Sequence, residues 1–215
     1  MGNALIDALL VNDSDRLAKL LAAGENPDPP FEPGFSYTPL DTAADLLHRD
    51  GGGATGASID AVILLLRYGA DVNRWDEPRT AIPILTAAQI PHSECARILL
   101  AAGANPNVAD EEGNTPLRLF TIEENREMVR LLLQCGANMY RAGGMDGMNS
   151  ISLAATRLNV DLVRLFLAHG ADPLVPDNDR MTVLDHLRWF PSISEPETPE
   201  KLERFHEIRR LLGGA

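Results

Sequence analysis

Five glycines, Gly24, Gly69, Gly103, Gly136 and Gly170, each close a leucine-rich stretch, and after the first they recur every 33 or 34 residues. Leu65-Leu66-Arg67-Tyr68-Gly69-Ala70-Asp71 and Leu99-Leu100-Ala101-Ala102-Gly103-Ala104-Asn105 show the pattern, and Leu132-Leu133-Gln134-Cys135-Gly136-Ala137-Asn138 and Phe166-Leu167-Ala168-His169-Gly170-Ala171-Asp172 repeat it. A fixed period of this length marks a chain built from one repeated supersecondary unit. Glycine ends each helix because the chain turns there into a left-handed conformation that other residues reach only at a cost. An aromatic content of 5% in a chain that is 45% hydrophobic points the same way, to helices packed on helices through Leu and Ala.

A second marker runs in phase with the first. Thr38-Pro39-Leu40-Asp41-Thr42-Ala43 and Thr115-Pro116-Leu117-Arg118-Leu119 each open a helix, and degenerate copies stand at Ile82-Pro83-Ile84, Asn149-Ser150-Ile151 and Thr182-Val183-Leu184. Thr or Asn caps free amides at a helix start, and Pro in the first helical position sacrifices no hydrogen bond. The Leu or Ile that follows faces inward.

These two markers together resemble the ankyrin repeat, whose pattern opens D-x-x-G-x-T-P-L-H-x-A-A and closes L-L-x-x-G-A-D. Asp110-Glu111-Glu112-Gly113-Asn114-Thr115-Pro116-Leu117 matches the opening closely. The resemblance covers nearly the whole chain and implies an all-α ankyrin-repeat solenoid of helix-turn-helix units joined by finger-like hairpins or loops. The family's His position is occupied here by Asp41, Leu85, Arg118, Ser152 and Asp185. In the family that His ties neighbouring turns together, so bonding between repeats must here be weaker or made otherwise.

One domain over 1–215 is expected, in six units: 1–27, 33–73, 77–107, 110–140, 144–173 and 177–213. A single unit cannot bury its own apolar face, so stacking supplies the core and polar end units cap it. Three insertions break the period: 25–37 with its prolines and aromatics, 49–57 with Gly51-Gly52-Gly53, and 191–199. The last two lengthen turns within a unit and are expected on the edge away from the fingers.

The residues give no constellation for catalysis. His48, His92, His169, His186 and His206 fall at unrelated repeat positions, and Asp185-His186, adjacent on a helix, point to different faces. Cys95 and Cys135 form no metal-ligand pair, Cys95 is expected to be packed, and the glycine run lacks a phosphate-binding context. No enzyme activity, cofactor or metal is expected.

Binding is the expected function. In the family partners dock on the concave face made by fingers and first helices, which the resemblance carries onto Phe31, Phe35, Tyr37, Trp75, Arg79, Ala81, Gln89 and Ile90. It continues on Glu111, Glu112, Asn114, Ile122, Glu123, Tyr140, Met145, Met148, Asn178 and Asp179. The set has an aromatic start, an acidic middle and a methionine patch; aromatics and Met suit interface cores, and acidic rims favour a basic partner. A net charge of −12 excludes nucleic acid and anionic membranes as partners. The expected protein is a cytoplasmic monomer without signal peptide or membrane helix. It resembles small acidic stand-alone ankyrin proteins of bacteria, some of which mask a toxin as immunity proteins, so an inhibitor of a basic protein is one expected role and a scaffold joining two proteins the alternative.

Overall fold

The computed structural model describes residues 3–30, 37–49, 58–74, 82–189 and 198–213. Among them it holds twelve helices and no strand. The all-α expectation is met. Contacts divide the chain into two compact units, Met1–Glu111 and Glu112–Ala215.

The 1–111 unit contains α1 (Ala4–Leu10), α2 (Ser14–Ala22), α3 (Pro39–Arg49), α4 (Ile59–Arg67), α5 (Pro83–Gln89) and α6 (Ser93–Ala101). Each odd-numbered helix packs against the even-numbered one that follows it; α1, α3 and α5 form one layer, and α2, α4 and α6 the other. Leu5, Leu17, Leu40, Leu65, Ile84 and Leu99 are fully buried between them. Leucine and alanine at helical spacing leave one apolar stripe per helix, and stacking hides it.

The 112–215 unit contains α7 (Pro116–Ile122), α8 (Arg126–Gln134), α9 (Ser150–Thr156), α10 (Val160–Ala168), α11 (Val183–Trp189) and α12 (Pro199–Leu211), with α7 packed on α8 and α9 on α10. Here α9 sits between α7 and α11, and α10 between α8 and α12. Phe120, Met128, Leu132, Ile151 and Phe166 fill its core.

The local rules behave as read. The five helix-ending glycines have φ between 84° and 96°. Thr38 and Thr115 each accept an N–H three residues on with their hydroxyls, and Asn149 does so with its side-chain oxygen. Ile82 has no side chain to do this, and α5 starts uncapped, relying on Pro83 to remove one orphan donor. His92 is a cap the residue type did not announce: its Nδ1 accepts the N–H of Cys95 at 3.1 Å.

Three of the turns inside helix pairs place one residue in the left-handed region without using a glycine: Asn12, Glu124 and Leu158 adopt φ of 52°, 54° and 56°. Glu124 is exposed and so the simplest to relieve. Glu124→Gly removes a left-handed penalty of about 1–2 kcal/mol and returns about half of it as extra entropy of the unfolded chain. The variant is expected to be more stable by about 0.5–1 kcal/mol, read as a higher midpoint in urea unfolding; an unchanged or lower midpoint contradicts it.

Candidate functional site

The bonds that replace the missing histidines also shape the loops. In the 1–111 unit, buried Asp41 accepts the Thr86 hydroxyl at 2.5 Å through Oδ1, joining one helix pair to the next. Asp28 Oδ2 accepts the N–H of Asp71 at 2.6 Å, and Arg74 donates to the carbonyls of Asp28 and Pro29. Asn73 spans the following gap: its Oδ1 accepts the N–H of Asn105 at 2.8 Å and its Nδ2 donates to the Gly103 carbonyl at 3.1 Å. Nearer to each helix-ending glycine, Asn26, Asp71, Asn105, Asn138 and Asp172 stand two residues on and accept the N–H two residues further along, which sets the start of the loop.

In the 112–215 unit the tie is stronger. Arg118, on α7, is 3% exposed. Its Nη2 donates to both Asp146 oxygens at 2.7 Å, Nη1 donates to the Met148 carbonyl at 3.0 Å, and Nε donates to Asn114 Oδ1 at 3.1 Å. A planar guanidinium can meet a carboxylate fork and still spare a donor for a carbonyl, which a lysine cannot. Tyr140 makes a second tie, its hydroxyl accepting the N–H of Asp172 at 2.6 Å. His186, buried in α11, bonds through Nε2 to buried Asp177 Oδ2, not to its sequence neighbour Asp185, which accepts from the Thr182 hydroxyl and N–H. Those two bonds hold the Asp185 carboxyl below its ordinary pKa.

The loops and first-helix ends are where the expected contact residues fall. Phe31, Phe35, Trp75, Arg79 and Ala81 lie outside the described residues, as do the segments 51–57 and 191–197 of the insertions. In the 1–111 unit, Tyr37, Gln89 and Glu111 are exposed and Ile90 is half-buried. In the 112–215 unit, Glu112, Glu123, Met145, Asn178 and Asp179 are exposed.

Others in the expected set face inward. Met148 is 5% exposed, so its side chain packs inside the unit and leaves the methionine patch with Met145 alone. Asn114 is half-buried and spends its side chain on Arg118 and on Glu112 Oε2. Ile122 is half-buried with its carbonyl accepting from Arg157, and Tyr140 is half-buried with its hydroxyl bonded. Loop residues that bond their own protein are positioned to shape a contact surface, less so to be its surface.

Burial disfavours chemistry at Cys95. Cys95 is buried and its thiol is pushed up to about 12, first by burial and then by the charges of Asp41 and Glu94, so it stays protonated at neutral pH. Cys135 is exposed. Among the described residues, no group of three or more His, Cys, Asp or Glu is placed to hold a metal ion, and no helix is long and apolar enough to cross a membrane.

With the helix pairs, capped starts and glycine-closed ends in place, comparison with known proteins decides the family question: the ankyrin-repeat family profile matches residues 52–142 as three copies. Residues 52–142 are ankyrin repeats. Human ankyrin repeat and SOCS box protein 16 is 39% identical over 93 residues, covering 43% of this chain and 20% of that protein. Human ankyrin repeat and SOCS box protein 6 is 35% identical over 138 residues, covering 53% and 32%. A putative ankyrin repeat-containing protein of Treponema pallidum is 40% identical over 76 residues, covering 35% and 26%. The chain therefore spans a fifth to a third of the length of these relatives. Ankyrin repeats in general serve as protein-interaction modules rather than as enzymes.

Proposed function

We propose that this ankyrin-repeat chain binds a basic protein through its loops and first-helix ends and acts by covering that partner's surface, as an inhibitor does. The observation that carries the reading is the distribution of charge. Seven basic against sixteen acidic residues leave residues 1–111 with a net charge of −9, three-quarters of the total. In that unit Glu25, Asp71 and Glu111 are exposed on the loops that join one helix pair to the next. Carboxylates on the loops of a unit this acidic raise the rate at which a basic partner arrives.

The test is charge reversal. Glu111→Lys together with Glu112→Lys is expected to lower the association rate for the protein that co-purifies with the full chain by about tenfold at low ionic strength. Raising the salt should shrink that difference, because exposed charges are screened beyond about 10 Å. Binding kinetics that ignore both the substitutions and the salt concentration would rule out the acidic-face reading.

A scaffold role is the second reading, and the division into two compact units favours it. Two separately cored units can hold two partners, and relatives whose names join ankyrin repeats to a SOCS box combine such repeats with another part. Recovery of two proteins, each bound in the presence of the other, supports it; strict competition between them counts against it.

A further inference from the structure

We infer that the outer face of α4 is a contact surface for a second copy of this chain, paired antiparallel about a two-fold axis that passes between Ile63 and Leu64. This face belongs to the second-helix layer of the 1–111 unit, apart from the loops and first-helix ends assigned to a protein partner above.

Ala61 to Leu66 are six consecutive apolar residues. A helix that is apolar all round is ordinarily buried all round. Only part of α4 is: Ala61, Val62 and Leu65 are buried, Leu64 and Leu66 are half-buried, and Ile63 is 37% exposed. The chain's own repeats show what this face carries when it meets water. Six residues before the closing glycine, α6, α8 and α10 have Arg97, Arg130 and Arg164, and α4 has Ile63. Directly before that glycine they have Ala102, Cys135 and His169, and α4 is followed by Tyr68, 43% exposed. Isoleucine and tyrosine at these positions leave joined apolar surface in water, which a covering surface removes.

The charges on the same face name the occupant. Asp60 and Arg67, both exposed, stand seven residues apart, which puts them on one side of the helix about 10 Å apart along its axis, with Ile63 and Leu64 between them. Asp60 accepts the Ser58 hydroxyl at 2.8 Å on one oxygen, and Arg67 pairs with none of the described residues. The order along the face is therefore negative, apolar, apolar, positive. Reversed, that order is its own complement. In an antiparallel pair Asp60 of each copy comes opposite Arg67 of the other, and Ile63 and Leu64 meet their own counterparts across the axis. A two-fold dimer brings one patch onto the same patch, so a self-matching face fits it. Parallel helices would instead set Asp60 against Asp60. One helix on one helix lies below the size of a stable interface, and each 1–111 unit carries a net −9 that repels its copy, so the dimer is weak. The monomer expected from the sequence is then the dilute form.

Sedimentation equilibrium of the intact chain, in a concentration series up to about 1 mM, reads the association. Salt at about 0.15 M screens repulsion between exposed charges beyond about 8 Å. The wild type is expected to pass from monomer towards dimer as concentration rises. Ile63→Arg, which installs the residue that α6, α8 and α10 carry, should weaken association at least about tenfold and leave the thermal midpoint unchanged. Arg67→Asp sets acid against acid at both ends of the contact and should weaken it about tenfold. Asp60→Arg combined with Arg67→Asp should restore it, because the reversed order again matches itself. Asp7→Arg on α1 combined with Arg67→Asp gives the same net charge without that match, and should not restore it. A chain that stays monomeric throughout would overturn the proposal, as would a dimer that Ile63→Arg leaves intact. Equal association of the two double variants would overturn the antiparallel register.

Discussion

Arg118→Ala is expected to destabilise the 112–215 unit by about 3 kcal/mol, among the largest single losses available on this chain. The wild-type guanidinium is buried at 3% exposure and has every direction of its fork occupied, by Asp146, by the Met148 carbonyl and by Asn114. Truncation leaves the Met148 carbonyl without that donor and opens a gap where the side chain lay. Breaking a buried ion pair typically costs about 3–5 kcal/mol, and the lower end applies because the Asp146 side chain is 39% exposed and water can solvate it. Arg118→Lys keeps the charge and loses the fork, so it should cost about half as much. Asp146→Asn should cost about 2–3 kcal/mol, since it leaves the buried guanidinium without its counter-charge while keeping an oxygen to accept from it. Urea unfolding followed by circular dichroism measures the three losses, and hydrogen exchange assigns them to residues 112–215. An Arg118→Ala midpoint within error of wild type would show that the buried fork is not what holds the finger.

This arrangement also marks the boundary of what the sequence discloses. Helix ends were legible because each rests on a local rule: Gly69 or Gly103 reaches a left-handed φ at no steric cost, and Thr115 with Pro116 can do little else than start a helix. The all-α stack of helix pairs follows from those ends and from the apolar spacing between them. The residue at the family's His position could be named, Arg118, but its partners stand 28 and 30 residues further on, and nothing in the residue types alone chooses Asp146 and Met148 from among the polar groups of the next repeat. Asp41 with Thr86, and Asn73 with Asn105, were hidden for the same reason.

The methionines make the point at closest range. Met145 and Met148 are three residues apart and form one patch by sequence, yet one is fully exposed and the other packed. What separates them is the turn made by Gly144 and Gly147, with φ of 69° and 62°, which sends the intervening residues outward and returns the chain to the core. A residue list records two methionines; the backbone decides which of them a partner can reach. Likewise Tyr140 and Asn114 suit a contact surface by type, and the structure uses their polar ends to hold neighbouring loops. Of the residues expected at a contact surface in the 112–215 unit, Glu112, Glu123, Met145, Asn178 and Asp179 are the exposed ones.

Gly143→Ala carries the other large expected effect, about 3 kcal/mol, for a reason unrelated to backbone freedom. Gly143 does not have a positive φ; its constraint is contact. A Cβ there would lie 2.0 Å from the carbonyl oxygen and 2.4 Å from the carbonyl carbon of Gly113. Both obstacles are main chain, so no side chain can rotate aside, and the two segments must separate. Separation pulls on the Gly144 N–H bond to the Glu112 carbonyl and, two residues further on, on the grip of Arg118 on Asp146. Gly147→Ala is the control that isolates this cause. Its Cβ would meet Asp179 Oδ2 at 2.9 Å, the end of an exposed side chain that can swing away, so the cost reduces to the left-handed penalty of about 1–2 kcal/mol. The ordering is the test: Gly143→Ala should lower the urea midpoint more than Gly147→Ala, although Gly147 alone has the left-handed backbone. The reverse order would mean that backbone conformation, not the contact between the 113 and 143 segments, fixes the loop on which Met145 stands.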